Sequence, residues 1–92
     1  MTGRKNRHGV DYELSEHANV VMAERKIPVA WLDRVLMSPD RTEPDGGDTE
    51  LQHALGRIDE MDGRVLRVVY NDRSKPWRVV TVYFDRTMRK KL

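Results

Sequence analysis

The sequence predicts an α+β fold in which two N-terminal helices pack on one face of a three- to four-stranded antiparallel sheet. Apolar residues recur at helical spacing up to about residue 36. The chain after residue 50 is instead rich in Val, Tyr and Phe, which favour β-strands. Its 92 residues suffice for one hydrophobic core and are too few for two.

The first helix is predicted over about residues 16–25, because Ser15 is a favourable N-cap and apolar residues follow at helical spacing. Pro28 suits the first turn of a second helix, which Pro39 ends.

Three strands are predicted at residues 51–58, 64–71 and 77–84, and residues 41–43 are a candidate short edge strand. The Asp62-Gly63 pair indicates a turn between the first two of these strands. Consecutive hairpins make the expected sheet antiparallel.

The domain is expected to span residues 12–86, between a flexible basic segment at 1–11 and a basic tail at 87–92. The formal net charge is only +2, so the clustering of basic residues at the two chain ends says more about possible partners than the net charge does. The chain has no cysteine, which excludes disulfides and thiolate metal sites. No apolar run is long enough for a membrane helix or a signal core, so we expect a cytoplasmic protein without membrane contact.

Strand alternation divides the predicted sheet into two faces. The face toward the helices is expected to carry mainly apolar residues, namely Ala54, Ile58, Leu66, Val68, Tyr70, Val80, Val82 and Phe84. The opposite face is expected to be exposed and to carry His53, Leu55, Arg57, Arg67, Val79, Thr81 and Tyr83, with Trp77 at its edge.

These side chains suit metal-independent cleavage of RNA. Histidine can transfer protons near neutral pH, and arginine can bind phosphate through paired hydrogen bonds. Aromatic rings can stack on unpaired bases. His17, near the start of the first helix, is a second candidate proton acceptor, and Arg25 follows on the same helical stripe.

Each candidate also has a structural explanation: exposed arginines are commonly solvated or paired, and Trp77 suits a packing anchor. Three interpretations therefore stay open. The protein is an endoribonuclease, a non-catalytic module that binds RNA or protein, or a subunit whose exposed sheet face is covered by a partner or a second copy. The third would explain Leu55, Val79 and Trp77. The three histidines lack metal-ligand spacing and no phosphate-binding glycine loop is present, so we expect no metal or cofactor.

A series of short motifs resembles a known bacterial family. It runs from about residue 12 to residue 89 and comprises Ser15-Glu16-His17-Ala18, Met22, Glu24-Arg25, Ile27, Ser38-Pro39-Asp40, His53-Ala54-Leu55, Arg57-Ile58, Gly63-Arg64-Val65-Leu66-Arg67-Val68-Val69-Tyr70, Arg78-Val79-Val80-Thr81 and Phe84-Asp85-Arg86. In order and spacing these resemble the domain of unknown function forty-two fifty-eight, which is itself similar to BrnT toxins and, through them, to RelE-like ribonucleases.

The resemblance implies a small ribonuclease-type fold, an endoribonuclease activity and an antitoxin partner. The polar positions that it carries over are His17, Arg25, Arg57, Arg67, Thr81 and Asp85. With the chemistry above, the predicted catalytic residues are His17, His53, Arg57 and Arg67. The predicted nucleic-acid-binding residues are Arg25, Trp77, Thr81, Tyr83, Asp85 and Arg86.

Overall fold

The computed structural model describes residues 4–5 and 11–92, which form two helices and a six-stranded sheet. In chain order the strands are β1 (Arg4–Lys5), β2 (Asp11–Leu14), β3 (Arg41–Pro44), β4 (Gln52–Ile58), β5 (Arg64–Asn71) and β6 (Trp77–Phe84). The helices α1 (Glu16–Arg25) and α2 (Val29–Met37) lie between β2 and β3. Two short 3₁₀ helices, η1 (Asp59–Met61) and η2 (Arg86–Met88), follow β4 and β6.

The sheet is mixed, and it has more strands than the sequence predicts. Its order is β1-β2-β6-β5-β4-β3. Strand β2 runs parallel to β6, with Tyr12 opposite Trp77, and the other pairs are antiparallel. The prediction of three to four antiparallel strands was therefore wrong, because β2 is too short for its alternation to be recognised.

The structure describes three residues of the N-terminal segment 1–11. Residues 4–5 and residue 11, within the predicted flexible segment 1–11, belong to β1 and β2. The rest of that segment lies outside the described residues.

Helix α1 has the predicted bounds, because the side chain of its N-cap residue, Ser15, forms hydrogen bonds with a backbone group of the helix and with one of β6. The Ser15 Oγ accepts a hydrogen bond from the Ala18 N–H at 3.0 Å and donates to the Val80 carbonyl at 2.9 Å. Lys26 then ends the helix in the left-handed conformation, with φ of 55°. The cap thus also fixes the start of α1 against β6.

Helix α2 begins one residue later than predicted and ends just before Pro39, as predicted. Pro28 is its N-cap instead of a residue of its first turn, and the helix stops at Met37, before Pro39.

The main core contains residues from both helices and alternate residues of the strands. Its buried members include Ala18, Met22, Leu32, Val35, Ala54, Ile58, Leu66, Val68, Tyr70, Val79 and Val82. A second, smaller cluster consists of Leu55, Val65 and Met88, with Leu92 packed against it. The predicted division of β4 and β5 into two faces is confirmed by these two clusters.

The division of β6 was partly wrong because of a β-bulge. Val69 lies opposite Thr81, but Tyr70 lies opposite Val79, so Val80 is an extra residue in the ladder. The bulge turns Val79 toward the main core, where it is fully buried. Simple alternation cannot reveal such a shift.

Gly56 allows α2 to approach β4 closely. A Cβ atom at this position would lie 3.0 Å from the Val35 Cγ2. Most Cβ contacts are longer than this, so a side chain here must displace Val35 in a packed core.

We expect Gly56→Val to lower the free energy of unfolding by about 1–3 kcal/mol, because it overpacks the contact between α2 and β4. Urea denaturation measures the change. The matched control is Gly46→Ala, since no atom lies within 4 Å of its Cβ position. Unchanged stability in Gly56→Val would contradict the proposed close approach.

Candidate functional site

The second face of the sheet, opposite the main core, is largely covered by the chain itself. Leu55 and Val65 are buried beneath Met88, and Leu92 packs against the same cluster. Met88 and Leu92 lie within the predicted basic tail at 87–92. The expectation of an exposed face was therefore wrong for this part of the sheet, because sequence alternation does not show which segment returns to cover a face.

Arg67 lies at the centre of this face and is only 8% exposed. Its Nε donates to the Asp85 Oδ2 at 2.8 Å, and its Nη2 lies 2.8 Å from the same oxygen. Its Nη1 contacts the Glu43 Oε1 at 3.2 Å and the His53 Nδ1 at 2.7 Å. The guanidinium thus joins β5 to β3, β4 and the residue that follows β6.

His53 is held between two charged groups. Because the Arg67 Nη1 donates to its Nδ1, that nitrogen is the acceptor, and the Nε2–H donates to the Asp45 Oδ1 at 2.7 Å. Both ring nitrogens are occupied, so proton transfer by His53 would first require one of these bonds to break.

The charges in this network are stabilised by their partners. Burial lowers the pKa of Arg67, but its hydrogen bonds to Glu43 and Asp85 outweigh burial and raise the pKa above its ordinary value. Hydrogen bonds from Thr87 and from Arg67 lower the pKa of Asp85. Arg67 and Asp85 are therefore an ion pair at neutral pH.

The other predicted catalytic arginine, Arg57, also has partners within the chain. Its guanidinium donates to the Leu92 carbonyl and makes a longer contact of 3.5 Å with the Gly63 carbonyl. Arg57 thus links β4 to the segment that covers the second face. Its predicted role on phosphate stays a prediction.

The aromatic candidates separate to different places. Trp77 is half-buried against the main core, where its ring stacks on Tyr70 with centroids 5.2 Å apart. The expectation that Trp77 borders the exposed face was wrong. The bulge in β6 shifts the alternation of side chains, so the residues before it point to the opposite face of the sheet from the one predicted. Tyr83 is 38% exposed and lies opposite Arg67 in the ladder, and Thr81 lies opposite Val69.

The candidates on α1 are both exposed. His17 makes no hydrogen bond within the described residues, so its ring nitrogens are available there. Arg25 lies two helical turns further on, about 12 Å along the axis at 1.5 Å per residue.

Arg25 lines a cleft that also contains Asp85 and Arg86. The cleft has a volume of about 500 Å³, and its remaining lining residues are Met61, Arg64, Val65, Phe84 and Arg89. The structure thus brings together three of the predicted binding residues. It adds Arg64 and Arg89, which sequence reasoning did not assign to a site.

The signals for these two added residues were weak. Arg64 is the first residue of β5, and Arg89 was interpreted as part of a basic tail. Only the clustering of arginines at element ends could have indicated them.

The arginines of the cleft differ in their pairing from four arginines elsewhere in the described residues. Arg34, Arg41, Arg67 and Arg78 form ion pairs with carboxylates. Among the described residues, none of the four cleft arginines does so; Arg89 donates to the Asp62 carbonyl at 2.8 Å. Because Asp85 is neutralised by Arg67, the cleft carries a net positive charge. Such a site attracts anions.

A family model with the description Domain of unknown function (DUF4258) matches residues 14–84, which is most of the chain. The chain belongs to this family. Comparisons with curated proteins and with solved structures gave no match. The match spans the DUF4258 domain from the end of β2 to the end of β6. Asp85, Arg86 and Arg89 follow the matched segment, so family membership does not assign them a role.

Two further observations concern metals and membranes. In the described part of the DUF4258 domain, no three His, Asp or Glu side chains are grouped so that they could hold a metal ion. No helix within residues 11–92 is long and apolar enough to cross a membrane.

We expect Arg67→Met to lower the free energy of unfolding by about 3 kcal/mol, because it leaves Asp85, whose side chain is only 13% exposed, and the half-buried Glu43 without their cation. The control is Arg78→Met. The Arg78 side chain is 53% exposed and lies 3.6 Å from Glu13, so its loss should cost about 0.5 kcal/mol or less. Equal changes in urea denaturation would contradict a structural role for Arg67.

Asp45 should contribute to the acid sensitivity of the fold. Hydrogen bonds from the Gly47 N–H, from His53 and from the Asp48 N–H lower its pKa from 3.8 to about 2. A carboxyl whose pKa is lowered by folding stabilises the fold above its ordinary pKa, and this stabilisation is lost as the pH falls toward the lowered value.

In Asp45→Asn we therefore expect stability to fall less steeply below pH 3.8 than in the wild type. Urea midpoints measured across this range test it, with Asp11→Asn, an exposed position in β2, as the control. An unchanged acid slope in Asp45→Asn would rule out this contribution.

Proposed function

We propose that this DUF4258 domain binds RNA by holding backbone phosphate in the arginine-lined cleft. The observation that carries the proposal is the convergence of four arginines without carboxylate partners on one cavity. Arginine makes paired hydrogen bonds to phosphate oxygens. The groups on the second face are less suited to this task, because Arg67 and Arg57 already donate to acceptors within the chain.

RNA is the proposed anion for two reasons. The similarity of the family to BrnT and RelE-like toxins implies an RNA substrate, and this relationship is part of the proposal. The cleft also contains the ring of Phe84 beside the arginines, and an aromatic ring next to phosphate-binding cations suits an unpaired nucleotide.

The double variant Arg64→Gln/Arg86→Gln should weaken binding of single-stranded RNA by at least about tenfold, because it removes two phosphate contacts. Fluorescence anisotropy across a salt series measures the affinity, and the slope against salt should decrease by about two. The control is Arg73→Gln, an exposed arginine in the connection between β5 and β6 that has no side-chain partner among the described residues.

Two results would contradict this function. One is unchanged affinity in the double variant while its melting temperature equals that of the wild type. The other is an equal loss in Arg73→Gln, which would indicate non-specific attraction to positive charge.

A second candidate function is metal-independent endoribonuclease activity. One observation favours it: His17 is exposed and has no hydrogen bond within the described residues. An unpaired imidazole can accept or donate the proton that RNA cleavage requires.

If the domain cleaves RNA, the cleavage should survive a chelator and should fall by about a hundredfold or more in His17→Ala. Gel analysis of end-labelled RNA measures the rate. His53→Ala serves as the comparison, since both of its ring nitrogens are occupied in the fold. Intact RNA at high protein excess would leave binding as the function and exclude cleavage.

A partner on the second face has less support. Leu55 and Val79, which motivated this interpretation, are buried within the chain. Among the described residues, Val20 and Tyr83 are the large hydrophobic side chains that remain exposed. Two such residues do not form the contiguous apolar patch typical of a permanent interface.

A further inference from the structure

The cleft has the size of a site for one small ligand. Pockets for small ligands commonly span roughly 300–1,000 Å³, and the volume of about 500 Å³ lies within this range. Its arginines come from the end of α1, the start of β5 and the region of η2. They converge on one cavity from separate elements instead of forming a line along one surface.

Arginines that converge on one cavity favour a different ligand from arginines that are arranged in a line along a surface. A protein that follows an RNA backbone places cations along a groove, where each meets a phosphodiester with a single charge. A phosphomonoester carries about −1.5 to −2 near neutral pH and offers three acceptor oxygens, so it can bind several guanidinium groups at once. Four cations around one cavity match this denser charge.

The interior of the cleft suits the rest of a nucleotide. Met61 and Phe84 supply apolar surface between the arginines. The ring of Phe84 is held edge-to-face by Trp31, with centroids 6.3 Å apart and an interplanar angle of 74°. A fixed ring is a suitable surface for a sugar or a base.

Asp85 is the carboxylate among the lining residues of the cleft, and its negative charge repels a bound anion only weakly. Its Oδ2 accepts from Arg67, and its Oδ1 accepts from the Thr87 N–H at 2.9 Å and from the Thr87 Oγ1 at 2.6 Å. Its charge is therefore directed into the second face and η2. The four lining arginines therefore leave the cleft with an excess of positive charge.

From this geometry we infer that the cleft binds the terminal phosphate of a nucleotide chain in preference to internal phosphodiesters. The inference rests on the proposed RNA-binding function and specifies the ligand of the same site. Free nucleotides present the same terminal phosphate, so the experiment separates them from RNA ends.

The test compares short RNAs of one sequence that carry a 5′-phosphate, a 3′-phosphate or hydroxyls at both ends, with binding to the full chain measured by fluorescence anisotropy. We expect one phosphorylated RNA to bind at least about tenfold more tightly than the hydroxyl RNA. In Arg64→Gln/Arg86→Gln this ratio should fall to about one, whereas Arg73→Gln should retain it. Circular dichroism melting checks that each variant is folded.

The possible failures are distinguishable. Equal affinity for the phosphorylated and hydroxyl RNAs would overturn the terminal-phosphate inference and leave RNA binding intact. Binding of a nucleoside monophosphate or pyrophosphate without binding of any RNA would overturn the proposed RNA function and the preference for the end of a nucleotide chain, and would indicate a site for small phosphomonoesters instead. No binding of any of these ligands would overturn both.

Discussion

The ion pair between Arg67 and Asp85 determines how the second face is organised. Arg67 is nearly buried in the middle of β5, and such a charge is stable only when its hydrogen bonds are satisfied. Asp85, Glu43 and His53 satisfy it from three other parts of the chain. The edge strand β3 and the start of η2 are therefore tied to the same group.

This arrangement separates two classes of arginine. Those that pair with carboxylates or backbone carbonyls within the chain, such as Arg67 and Arg57, stabilise the fold. Those that line the cleft have no carboxylate partner among the described residues, although Arg89 also donates to the Asp62 carbonyl. Because Asp85 lies between the two groups, its pairing with Arg67 also removes a negative charge that would otherwise weaken anion binding. The small net charge of +2 thus conceals a strongly positive cleft.

The parts of the fold that could be predicted are those encoded by local pattern. The Ser15 cap marks the start of α1, and the Val-rich runs mark β5 and β6. Strand β2 was missed because four residues carry too little periodicity, and the bulge at Val80 leaves no trace in composition. Both depend on pairing with distant segments of the chain.

The candidate site was harder to predict than the fold for the same reason. Arg67 looks like an exposed strand residue until its partners 14 to 24 residues away are placed around it. Arg64 and Arg89 resemble ordinary surface charges, because the cleft forms only when α1, β5 and η2 meet. Arg25 and Arg86 were found through a resemblance and a motif, without any indication that they share a cavity.

The central claim is that the cleft binds the anion and that the second face has a structural role. NMR titration of the Nε–Hε signals of the arginine side chains with single-stranded RNA tests it most directly. The account predicts large shifts for Arg25, Arg64, Arg86 and Arg89, with Arg67 unchanged. Shifts centred on Arg67, with the cleft arginines unaffected, would contradict it.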